Sequence, residues 1–174
     1  MDIESHFLVD EVVRQVQQAL RNGDQPAIAL LEGDSGRTLS NSAYLRDPAR
    51  AEEFERSVAR EAETIGLARL VLAVPMISSP GVIDEDAVRF RNPNTGPLRD
   101  DDGEQHVIVW TLYDEEEGVS CGMAPYSRKR DGTPVFDDDP DGAFSIALNP
   151  GPGMPGLTVL RELLDENLQR RKRR

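Results

Sequence analysis

Histidine occurs only twice in this chain of 174 residues, at His6 and His106, and cysteine only once, at Cys121. Scarcity of this kind removes most recognisable catalytic and metal chemistry. A Ser/His/Asp or Cys/His device would have to use one of two histidines. A zinc site would have to recruit carboxylates, and no spacing of ligands suggests one. No G-x-S-x-G elbow, P-loop or G-x-G-x-x-G occurs, so neither a serine-hydrolase turn nor a phosphate-cradling loop is indicated. A single cysteine allows no internal disulfide, which fits a reducing compartment.

Lysine is nearly missing as well, at 2 residues against 18 arginines. Arginine-for-lysine usage on this scale reads most simply as a bias of coding composition. No stretch approaches the roughly 18 apolar residues a membrane-spanning helix needs. The opening Met1-Asp2-Ile3-Glu4 has neither the basic region nor the apolar run of a secretory leader, so a cytoplasmic location is expected. Aromatics make up only 5% of the chain, so the core must be built mainly from Leu, Val, Ile and Ala.

What is abundant is acidic charge. The net charge is -12, and without the five basic residues Arg170–Arg174 the remainder carries -17. Such a body repels nucleic acid and anionic membrane at long range, so neither is an expected partner. The length is that of one domain with a real core.

Residues 5–22 have apolar positions at helical spacing (Leu8, Val12, Val16, Leu20), with Ser5 expected as N-cap and Asn22-Gly23 as the stop. Residues 26–32 and 37–45 read as strands about the turn Gly33-Asp34-Ser35-Gly36. Asp47-Pro48 opens the clearest helix, with Phe54, Val58, Ala62 and Ile65 as its buried stripe and Gly66 at its end. The apolar run 67–77 suits a strand covered on both faces, paired parallel to an earlier strand through a crossover. A short strand is expected at 87–91 and loop at 92–105. In 106–113, Ile108, Trp110 and Leu112 face one way, and Val107, Val109 and Tyr113 the other. A turn at 114–118 leads to 119–126, a hairpin turn is expected at Asp131-Gly132, and a last strand at 142–148.

The segment NPGPGMPG, 149–156, reads as a linker, and 157–174 as an amphipathic helix with a basic end. The expected organisation is one domain over 1–148, the linker, then the helix. The fold class is α+β, with a mixed, largely antiparallel sheet and helices mainly on one face, in the order α-β-β-α-β-β-β-β plus a C-terminal helix. Phe54, Val58, Leu72, Val74, Ile108 and Trp110 are expected to be buried together.

Two patterns carry functional expectations. Leu157, Leu160, Leu164 and Leu168 form one stripe on the last helix, with Leu163 at its edge. A short helix needs that stripe covered, by its own domain, by a protein partner or by a second copy of the chain. The second pattern is Asp137-Asp138-Asp139-Pro140-Asp141-Gly142. Asp137, Asp139, Asp141 and Gly142 match the first half of a calcium loop, where alternate carboxylates converge on a hard cation. Its twelfth position is Leu148 in place of a bidentate Glu, no helix flanks it and Pro140 restricts it, so a solvated acidic turn is expected. The sequence therefore favours a non-catalytic protein-interaction module docking through its C-terminal helix. The alternative is a carboxylate-based metal-dependent enzyme or a calcium-binding protein.

Overall fold

A computed structural model describes residues 1–80, 88–137, 146–149 and 153–172, with 166–172 in their backbone course only. Helix α1 spans Ile3–Arg21, and the first hairpin is β1 (Ala27–Gly33) and β2 (Gly36–Ser42). Helix α2 (Pro48–Ile65) follows, then the long strand β3 (Leu67–Pro80) and the short β4 (Val88–Arg91). Strands β5 (Gln105–Asp114) and β6 (Gly118–Arg128) form a hairpin, β7 (Pro134–Val135) and β8 (Ile146–Leu148) are short, and α3 runs over Leu157–Lys172. The class is α+β: among the described residues, three helices and an eight-stranded, mostly antiparallel, curled half-barrel sheet.

The order along the sheet is β2-β1-β3-β5-β6-β7, with β4 beside β3 and β8 beside β6. Strand β3 organises it. One edge carries β1 as far as Ala73 and then β4 from Ile77, while the other carries β5 from Arg69 to Ser78. The expected parallel pairing of β3 is not what forms. Strand β3 pairs antiparallel with β1 and lies parallel to β2 with β1 between them. The α2 crossover therefore spans one strand, and every ladder among the described residues is antiparallel.

Alternation decides the two faces. Leu70, Leu72 and Val74 point to α2 and α3, whereas Val71 and Ala73 point to α1. That explains the apolar run of β3, since both faces are covered. On β5, Val107, Val109 and Tyr113 join the α2/α3 side, and Ile108, Trp110 and Leu112 the α1 side, as the pattern predicts. The expected single core is thus two. Phe54, Val58, Leu72 and Val74 lie on one face, while Ile108 and Trp110 lie on the other beneath α1. The reason is register: Ala73, not Leu72 or Val74, sits opposite Trp110.

Helix boundaries follow local chemistry. In α2, Asp47 accepts from the Arg50 amide at 2.8 Å, Pro48 occupies the first turn, and Gly66 closes the helix at φ 65°. In α1 the cap is Asp2, which accepts from the Ser5 amide at 2.7 Å, so the helix starts earlier than expected. Ser5 turns inward and donates to Asp114 at 2.8 Å instead. The strand expected over 37–45 ends at Ser42, and Tyr44–Arg46 form a 3-10 turn that buries Leu45. Of the expected strand 142–148, residues 146–148 are β8 and 142–145 lie outside the described residues. No helix among the described residues is long and apolar enough to cross a membrane.

Candidate functional site

The first helical turn of α3 has backbone N–H groups with no partner inside the helix. They are met by a carboxylate from another helix. Glu55, only 4% exposed, accepts from the amides of Gly156 and Thr158 at 2.9 Å each and of Val159 at 3.3 Å. Its Oε1 also accepts from the Tyr44 hydroxyl at 2.5 Å. A negative charge at a helix N-terminus is favourable in itself. Burial, and then the Glu55 carboxylate, push the Tyr44 phenol well above its ordinary pKa, so it remains a donor.

The preceding segment is fixed as well. Met154, Pro155 and Gly156 are buried, and the Pro155 carbonyl accepts from the Thr111 hydroxyl at 2.9 Å. Gly156 has φ 91°, and a Cβ there would stand 3.3 Å from both Leu72 and Thr111. Residues 153–156 therefore act as a joint, tighter than a linker's composition suggests, while 150–152 lie outside the described residues.

The leucine stripe is rotated from the expected one. Val159, Leu160 and Leu163 are buried in the cluster that α2 forms with the sheet, and Leu157 packs partly buried against it. Leu164 is 47% exposed. The side chain of Leu168 lies outside the described residues. The first two turns of α3 are thus part of the domain's own core.

The acidic-loop residues fall mostly beyond description. Asp137 is exposed, while Asp139 and Asp141 lie outside the described residues. Among the described residues no group of three His, Cys, Asp or Glu side chains is placed to hold a metal ion. Cys121 and His106 are on opposite faces of the sheet. Cys121 belongs to the α2/α3 cluster, while His106 stacks on Tyr126 of the α1 cluster. The Cys121 thiol is raised in pKa by burial, which suits packing rather than nucleophilic attack. His6 is exposed on α1.

One concavity does gather chemistry. At the end of the β5–β6 hairpin away from its turn lies a cleft of about 450 Å³, with Leu98, His106, Pro125, Tyr126, Arg128 and Val135 in its wall. Glu104 also lines it and is fully engaged. It accepts from Arg91 Nε at 2.7 Å, from Arg91 Nη2 at 2.6 Å and from the Arg99 amide at 2.8 Å. Arg91, against burial that disfavours the charge, lowers the Glu104 pKa to about 2. The same guanidinium donates to Thr95, Gly96 and Pro97, which fixes the loop beside the cleft.

Two rings of the wall, His106 and Tyr126, are in contact. His106 stacks on Tyr126 with centroids 5.3 Å apart, and Tyr126 meets Phe136 at 5.2 Å. The Arg128 guanidinium sits 5.5 Å above the Tyr126 ring and donates to the Gly132 carbonyl at 2.8 Å. Burial first, then the charges of Arg128 and Arg91, lower the His106 pKa. The ring is therefore neutral near pH 7. Its Nδ1 is buried without a hydrogen-bond partner.

Sequence reasoning passed over Glu55, although its position carried a signal. It stands three, four and seven residues before Val58, Ala59 and Ala62, and so on the buried face of α2. Tyr126 and the Arg91–Glu104 pair had no local signature, because their partners come from other elements. Compared with models of protein families, with curated proteins and with solved structures, the chain shows no match.

Proposed function

We propose that this chain is a non-catalytic interaction module that associates with a second copy of itself through the outer side of α3. The observation that carries the reading is the contrast within that helix. Val159, Leu160 and Leu163 are held in the core and Glu55 caps the first turn, yet Leu164 stands 47% exposed one turn further on. A helix fixed at its root presents an outward leucine in a defined place, which lowers the ordering cost of docking. Charge favours a like copy as the partner: Arg170–Arg174 carry +5 and residues 1–169 carry -17. A basic helix end therefore finds a complementary surface on another copy. The cytoplasm is the compartment this reading assumes, in keeping with a lone, buried, free Cys121.

Sedimentation equilibrium tests the proposal. The chain is expected to self-associate, more strongly at low than at high salt, and Leu164→Asp to return it to a folded monomer. A wild-type chain that stays monomeric at every concentration, or a Leu164→Asp variant that associates as before, removes the reading.

A further inference from the structure

We infer that the cleft beside His106 is a binding site for a small organic carboxylate, with Arg128 as its anchor. Three independent features meet there. The first is shape: the cleft is about 450 Å³, room for a ligand of modest size, and Leu98, Pro125 and Val135 give it apolar wall.

The second is charge. Arg128 makes no ion pair among the described residues, in a chain whose acidic groups outnumber its basic ones 32 to 20. Its neighbour Arg91 forms an ion pair with Glu104, so that carboxylate of the wall is already neutralised. Arg128 is also held in place, stacked over Tyr126 and bonded to Gly132. A guanidinium fixed in this way presents a fork to an incoming carboxylate at little entropic cost. Asp137 also lines the cleft but is exposed, so water screens its charge.

The third is an aromatic surface. The His106 ring lines the cleft and stacks on Tyr126 with centroids 5.3 Å apart, and ring faces of this kind suit the apolar body of an organic acid. The site is independent of α3, none of whose described residues lines the cleft.

Nuclear magnetic resonance of the histidine rings tests this directly, because the chain has only two histidines and His6→Asn assigns His106. Benzoate is the probe, benzamide its neutral counterpart and inorganic phosphate the anion without an apolar body. Benzoate is expected to shift the His106 ring signals saturably at millimolar concentration, with benzamide and phosphate far weaker. Arg128→Met is expected to weaken benzoate binding tenfold or more, about the loss of one charge-assisted pair. Arg128→Lys, which keeps the charge and the fold of the hairpin, is expected to weaken it less. No shift with benzoate, or an equal shift with benzamide, overturns the proposal. Phosphate acting as strongly as benzoate overturns the organic carboxylate as the ligand class. Unchanged benzoate binding in Arg128→Met overturns the anchor and with it the site.

Discussion

The amide of Gly156 donates to the carboxylate of Glu55 across 2.9 Å, although the two residues stand 101 positions apart in the chain. This bond joins the middle of α2 to the start of α3, and the amides of Thr158 and Val159 reinforce it. The carboxylate is buried and accepts from four donors, counting the Tyr44 hydroxyl. Its removal is therefore more damaging than the loss of an ordinary surface contact.

Glu55→Ala is expected to destabilise the chain by roughly 2–5 kcal/mol, because buried donors lose their acceptor. Glu55→Gln is expected to be destabilising too, since its amide NH₂ must face an N–H or the Tyr44 hydroxyl. Chemical denaturation measures both. A change below about 0.5 kcal/mol in each variant would show that solvent replaces Glu55 at no cost.

Removal of residues 157–174 is expected to lower stability by at least about 4 kcal/mol. It takes away the buried Val159, Leu160 and Leu163, each contributing roughly 1.5–3 kcal/mol, and removes the Thr158 and Val159 amides from the buried Glu55 carboxylate. Leu164→Asp, at an exposed position, is expected to cost less than about 1 kcal/mol. A truncated chain that melts at the wild-type temperature contradicts the packing of α3 described above.

Gly122 lies under the indole of Trp110, its partner across the β5–β6 ladder. A Cβ at Gly122 would overlap that ring and stand 2.8 Å from the Ile146 carbonyl. Gly122→Ala is expected to cost about 1–3 kcal/mol by overpacking and to shift the fluorescence of the chain's only tryptophan. An unchanged emission spectrum together with unchanged stability would mean the indole does not sit on this glycine.

Acid is expected to weaken the fold progressively below about pH 5, as carboxylates held ionised in the folded state take up protons. Burial opposes the ionisation of Asp114. The amide of Glu117, the hydroxyl of Ser5, the amide of Glu116 and the guanidinium of Arg69 outweigh it and bring the pKa to about 2. Arg91 does the same for Glu104. Both folded-state values lie below the ordinary ones, so this stabilisation is present above the ordinary carboxylate range and lost as pH falls towards 2. His106, lowered by burial and by Arg128 and Arg91, adds a loss in the same direction below its ordinary 6.5. Asp114→Asn should flatten the acid limb of a stability–pH curve, and an unaltered slope would speak against that residue's part in it.

The elements were legible in the chain wherever a local cause fixes them. Asp47, Pro48 and Gly66 delimit α2 by capping chemistry that acts within a few residues. The two faces of β5 follow from alternation, which is a property of the extended backbone alone. The candidate cleft was only half visible. His106 was conspicuous by rarity, but nothing local joined it to Tyr126 or Arg128. A ladder register that places His106 opposite Tyr126 brings them to one wall.

The sequence by itself determined the α+β class, the ends of α2, the acidic surface and the apolar periodicities, because each depends on neighbours one helical turn or two strand positions away. Tertiary structure alone decided that β3 pairs antiparallel with β1, that the core is split into two by the sheet, and that the buried stripe of α3 is Val159, Leu160 and Leu163. Those outcomes depend on register and on donors and acceptors far apart in the chain. The three amides at the start of α3 could have met water, a partner or Glu55, and only the packing of α2 beside them brings the carboxylate within 2.9 Å of two and 3.3 Å of the third.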